Sequence, residues 1–157
     1  MFMLTPIRNR KWNAPGKAFA IVASRYNVRY VDGMLMAAVR ELKRARAETI
    51  KVVRVPGAFE IPVVVAKLLS GREAFAGIIC LGVIIRGETV HAQHIGEAVS
   101  SSLMQMQIEH GVPVIHEVLL LENEEQAKVR CLGKTHNRGA EAAQTALEMA
   151  RVMAGLD

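Results

Sequence analysis

Two rhythms of apolar and polar positions alternate along this chain. One consists of short continuous apolar runs, Ala18–Ser24, Ile50–Val55, Ile78–Ile85 and Pro113–Leu121. Their length and β-branched content are those of strands buried on both faces. Between the runs the period changes to that of a helix. Val31, Met34, Leu35, Ala38 and Leu42 share one helical face, in a helix read as starting at Val31. Ile61–Leu69 reads as a short apolar helix opened by Pro62, with Gly71 beyond its end. Ile95, Ala98, Val99, Ser102, Leu103 and Met106 line the next helix, which starts at about Val90 and stops near Gly111. Asn123 and Gln126 form a variant capping box for a helix that Gly133 ends. A last helix, from about Gly139, carries Ala143, Ala146, Leu147 and Ala150 on one side.

Strand and helix alternate throughout, which predicts an α/β fold: a four-stranded parallel sheet covered by helices on both faces, a three-layer α/β/α sandwich. Right-handed crossovers then bring every strand's carboxyl end to one edge, where open α/β sheets bind ligands. That edge is expected to gather Arg25-Tyr26-Asn27, Pro56 to Glu60, Gly87 to His91, and His116 onward. The segment Leu81–His91, LGVIIRGETVH, is the most informative. It reads as a buried strand, a glycine turn and a helix start, a layout that leaves helical N–H groups free to hold an anion beside a histidine. An ordinary turn with a surface histidine has the same layout.

The chain has 157 residues, the size of one domain, 1–157, with residues 1–16 as an irregular basic arm. It is 51% hydrophobic but only 4% aromatic, so the core must be built from Ala, Val, Ile, Leu and Met. The net charge of +5 is scattered and forms no dense tract, which argues against a nucleic-acid partner and for attraction of small anions. No apolar run approaches the ~20 residues of a membrane span. Arg8, Arg10 and Lys11 lack the apolar segment of a secretory signal. Cys80 and Cys131 follow no pairing pattern, which suggests reduced thiols and a cytoplasmic location.

Six ordered blocks carry a resemblance to a known family. They are Arg25-Tyr26-Asn27, VPGAFEIP at Val55–Pro62, GVIIRGETVH at Gly82–His91, GVPVI at Gly111–Ile115, EQAKVR at Glu125–Arg130 and NRGAEAAQTALEM at Asn137–Met149. The chain resembles the 6,7-dimethyl-8-ribityllumazine synthases over nearly its whole length. The resemblance implies a flavodoxin-like fold and a transferase of riboflavin synthesis. Its reaction condenses 5-amino-6-(D-ribitylamino)uracil with 3,4-dihydroxy-2-butanone 4-phosphate, releasing phosphate and water, with no metal and no organic cofactor.

The same resemblance assigns the site residues. Tyr26 stacks on the uracil ring, with Asn27 beside it; Ala58, Phe59 and Glu60 hold the ribityl chain and amines. The main chain of Val83, Ile84 and Ile85 reads the pyrimidine edge, and His116 covers the ring. Glu88, Thr89 and Arg130 take the butanone phosphate, where a guanidinium fork suits a phosphate. His91 is the catalytic proton shuttle, since imidazole passes protons in both directions near neutral pH. Departures from the family pattern are His116 for Phe, Glu117 for Gly, Ala92 and Gln93 for an aromatic and an acid, Leu120 and Leu121 for a threonine pair, and Arg138 for Lys.

The resemblance also implies a homo-oligomer. The first residues add a strand to a neighbouring subunit, five subunits close a ring, and each active site is shared across that interface. The run Arg130 to Asn137 has the length found in sixty-subunit shells, and riboflavin synthase is a candidate partner. The departures leave one alternative, a shell-forming or flavin- or pyrimidine-binding paralogue with little turnover.

Overall fold

The computed structural model describes residues 11–87 and 89–157. The strand that the resemblance implies for the first residues, and most of the basic arm, concern residues 1–10 and lie outside the described residues, as does Glu88. The elements run β1 (Ala18–Ser24), α1 (Val28–Arg44), β2 (Thr49–Val55), a 3-10 turn at Ala58–Glu60, α2 (Ile61–Leu69), β3 (Gly77–Ile85), α3 (His91–His110), β4 (Val114–Leu121), α4 (Glu124–Cys131) and α5 (Arg138–Ala154). The four strands are all parallel, in the order β2-β1-β3-β4. That is the flavodoxin-like order.

The strand period of two sends alternate residues into two cores. Phe19, Ile21, Ala23, Ile79, Leu81, Ile115 and Leu121 pack beneath α1, α4 and α5. Ala20, Val22, Ile78, Cys80, Val114 and Val118 pack beneath α2 and α3. The sandwich expected from the alternation is therefore present, with α4 and α3 on opposite faces. No helix among the described residues is long and apolar enough to cross a membrane.

The glycine at position 139 makes one layer unusually tight. A Cβ there would collide with the main chain of Met34, so the backbones of α1 and α5 are in direct contact. Asn137 fixes this crossing from the helix end. Its Oδ1 accepts from Gly139 N at 2.8 Å and Ala140 N at 3.2 Å, while its Nδ2 donates to the Cys131 carbonyl at 2.9 Å.

Two boundaries differ from the sequence reading in ways that matter for the site. Helix α1 begins at Val28, a full turn's worth of residues before the apolar pattern, because Asn27 adopts a left-handed conformation (φ 59°) that turns the chain straight from strand into helix. The first residues of the helix, Val28 and Arg29, are exposed. His116 is not at the carboxyl edge. Register places it opposite Cys80, near the start of β4, whereas Leu121 pairs with Ile85 at the end. At ~3.3 Å per residue this sets His116 roughly 16 Å short of the end of its strand.

Candidate active site

The turns after β1 and β2 are zipped together by their backbones. Arg25 N donates to the Val55 carbonyl at 2.8 Å and Tyr26 N to the Pro56 carbonyl at 2.9 Å. This brings the Tyr26 ring over Gly57. A Cβ at position 57 would lie 2.8 Å from Tyr26 Cδ2 and 3.2 Å from Glu60 Oε2, so the missing side chain is what lets an aromatic face and a carboxylate meet. The sequence reading took Pro56-Gly57 as a strand stop and missed this second role. Tyr26 is 67% exposed and Phe59 63%, an uncommon state for aromatic rings unless they face a ligand or partner.

The third turn joins this pair through the sheet. Asn27 Nδ2 donates to the Val83 carbonyl at 2.7 Å, tying the β1 turn to β3. Ala58 sits in van der Waals contact over Gly82. β1 pairs with β3 only as far as Leu81, so Gly82–Ile85 project past the β1 ladder, with the Val83 carbonyl held there by Asn27. The side chains of Val83, Ile84 and Ile85 meanwhile point into the two cores. At these three positions the edge is therefore lined by main chain.

His91 opens α3, and the helix packs against the 3-10 turn Ala58–Glu60. Val90 supplies no capping side chain, and the first turn holds no acidic residue. Thr89 Oγ1 accepts from His91 N at 3.4 Å, near the outer limit of a hydrogen bond. A helix start in this condition is electrostatically suited to an anion. Arg86 borders it, donating to Glu122 Oε1 at 3.0 Å and Gln93 Oε1 at 3.2 Å, while Gln93 donates onward to Glu97 at 3.0 Å. Tyr26, Asn27, Ala58, Phe59, Glu60, Val83 to Ile85, Thr89 and His91 thus share one edge.

His116 and Arg130 are not with them. His116 lies on the α3 side of β4, where its Nε2 is 2.8 Å from Ser100 Oγ, a partner that nothing in the sequence signalled. Burial holds its imidazole below the ordinary range. Arg130 stands on α4, across the sheet from α3. Its Nη1 reaches the Gln126 carbonyl at 3.5 Å, and it forms no ion pair with another described residue. Near it, Arg138 bonds Glu117 through both Nε (3.1 Å) and Nη2 (3.2 Å), and its Nη1 reaches Glu141 at 3.2 Å. Burial outweighs this pairing and pushes the Glu117 carboxyl up to about 7. Both cysteines are buried and free, and burial pushes the Cys131 thiol up to about 12, so neither is a nucleophile at neutral pH.

Comparison with known proteins finds similarity over most of the chain. The family model described as 6,7-dimethyl-8-ribityllumazine synthase matches residues 16–154. A 6,7-dimethyl-8-ribityllumazine synthase of Stenotrophomonas maltophilia (strain R551-3) is 42% identical over 137 residues, 86% of this chain and 88% of the relative. The synthase of Xylella fastidiosa (strain 9a5c) is 41% identical over 140 residues, 88% of this chain and 90% of its own length. That of Xanthomonas campestris pv. campestris (strain B100) is 40% identical over 137 residues, 86% and 88% respectively.

Proposed function

The chain belongs to the 6,7-dimethyl-8-ribityllumazine synthase family, and on that premise we propose how its residues divide the work. The enzyme is a transferase that condenses 5-amino-6-(D-ribitylamino)uracil with 3,4-dihydroxy-2-butanone 4-phosphate to 6,7-dimethyl-8-ribityllumazine, the penultimate step of riboflavin synthesis.

Tyr26 offers its exposed face to the pyrimidine, and Glu60, whose carboxylate lies beside the same opening, accepts hydrogen bonds from the ribityl hydroxyls. Phe59 and Ala58 wall the chain, and the projecting main chain of Val83 to Ile85 pairs with the polar edge of the ring. Asn27 sets the distance between the aromatic wall and that main chain through its bond to Val83. The butanone phosphate sits at the start of α3, held by its amides with Glu88 and Thr89. Joining an amine to a ketone requires a proton taken from nitrogen and a proton given to the departing oxygen. His91, first residue of α3 and exposed, stands next to that phosphate position and handles both.

Arg130 and His116 come from a neighbouring copy. The observation that carries this is separation: Arg130 is the seventh residue of α4, ~9 Å back along that helix from the carboxyl edge, and α4 covers the sheet face opposite to the α3 that His91 opens. A ring of five copies, each presenting the Tyr26 edge to the next copy's β4 and α4, completes every site, with residues 1–157 acting as one domain. β2, an edge strand with Val52 exposed, offers the pairing surface for a neighbour's first residues. A sixty-subunit shell, riboflavin synthase as partner and a cytoplasmic location extend the same reading; the free thiols support the last. Particle mass in solution, measured alongside an absorbance assay for lumazine formation, tests it. Turnover is expected only from assembled particles, and an active monomer overturns the shared site.

A further inference from the structure

The bond between His116 and Ser100 belongs to a short chain of hydrogen bonds. Ser100 Oγ has two neighbours within reach: the Gly96 carbonyl, to which it donates at 2.7 Å, and His116 Nε2 at 2.8 Å. With the hydroxyl proton on the Gly96 side, the tautomer that completes the chain is the one in which Nε2 carries the proton and donates to Ser100 Oγ. The other ring nitrogen then has a lone pair, and it faces a donor, with Val118 N–H 3.4 Å from Nδ1. Each partner demands the same tautomer. A protonated ring would set an Nδ1–H against the Val118 N–H, donor against donor.

Both ring nitrogens are thereby committed and the ring plane is fixed. Ser100 is not activated as a nucleophile, because its proton lies on Gly96 and His116 is not its base. His116, Val118 and Leu120 share the α3 side of β4, and Ser100 lines the open groove between that strand and α3 together with Arg86, Gln93 and Glu97. An imidazole is smaller than a phenyl ring and has two polar edges, so without an anchor it would occupy several orientations. Fixing it in advance removes an ordering penalty on binding.

We propose that Ser100 is a positioning residue, holding His116 as a neutral, Nε2-protonated flat wall for the pyrimidine ring bound by the adjoining copy. This rests on the shared-site reading above and names the device by which a histidine replaces the family's phenylalanine. The wall takes no part in proton transfer, which stays with His91.

The test is a mutant cycle on the assembled enzyme, with Michaelis constants for both substrates. Losing one net hydrogen bond, about 1 kcal/mol, corresponds to roughly a fivefold change in affinity. Ser100→Ala is expected to raise the pyrimidine KM about fivefold and leave that of the butanone phosphate and kcat unmoved. Ser100→Thr, which keeps the hydroxyl, restores it. In a His116→Phe background, where no ring nitrogen needs an anchor, Ser100→Ala has no effect. An equal effect of Ser100→Ala in both backgrounds overturns the positioning role, as does no effect in the native one. An unchanged pyrimidine KM in His116→Ala overturns instead the placement of His116 at the ring.

Discussion

Arg138 grips Glu117 with two nearly parallel hydrogen bonds, Nε to Oε2 at 3.1 Å and Nη2 to Oε1 at 3.2 Å. Both are positions where this chain departs from the pattern of its family, glycine and lysine being usual there. The structure brings the two into direct contact: a carboxylate in a buried place on β4, and a planar fork that engages both of its oxygens.

The carboxylate is only partly compensated, which fixes a pH dependence. The Glu117 carboxyl is pushed up by burial to about 7 from an ordinary value of 4.5. The folded chain therefore holds this proton where the unfolded chain has lost it. The associated stability is fully present below the ordinary carboxylate range and is lost as pH rises through about 7. At about 1.4 kcal/mol per unit the upper bound is about 3 kcal/mol. Denaturant midpoints measured from pH 5 to 8 should fall, and Glu117→Gln should flatten that fall. Equal slopes in both proteins would remove Glu117 as the cause.

His91→Ala should reduce kcat by about a hundredfold while both Michaelis constants stay close to native. General acid–base catalysis contributes roughly 10²–10⁴-fold, and condensation of an amine with a ketone is facile enough to sit at the low end. Unchanged turnover would take the proton shuttle away from His91.

Arg130→Ala should raise the Michaelis constant for the butanone phosphate by roughly ten- to a hundredfold and spare that for the pyrimidine. Charge-assisted bonds contribute about 1.5–3 kcal/mol, and only one substrate carries a phosphate. Equal effects on both substrates would assign Arg130 to α4 and its packing instead.

Mixing Glu60→Ala with Arg130→Ala should restore activity once subunits exchange. An interface formed by Glu60 of one variant and Arg130 of the other is native, and random assortment makes roughly a quarter of interfaces so. Mixed particles with verified exchange and no recovered turnover would place the site within one chain.

Much of this was legible in the sequence, for reasons that differ by residue. β1 and α2 match their expected bounds because apolar runs and Pro62 mark them directly. The start of α1 lies three residues before the expected one because it depends on the left-handed Asn27, a backbone state that an apolar pattern does not mark. Ala98, expected on the buried face of α3, is exposed, since that helix buries little more than Ala92, Val99 and Leu103. His116 was misplaced along the edge because its depth depends on pairing with β3, a relation between distant segments. Contacts such as Glu117 with Arg138, or Ser100 with His116, bridge separate elements and have no signature in either element alone.

The placement of His91 and Arg130 on opposite sheet faces has a consequence for stoichiometry. In the proposed shared site each chain carries both halves of a site, but of two different sites. An open arc holds one complete site fewer than it has chains, whereas a closed ring holds as many. Activity per particle therefore counts closure, rising by one whole site at the moment the last gap is sealed and dropping by one when any single contact opens.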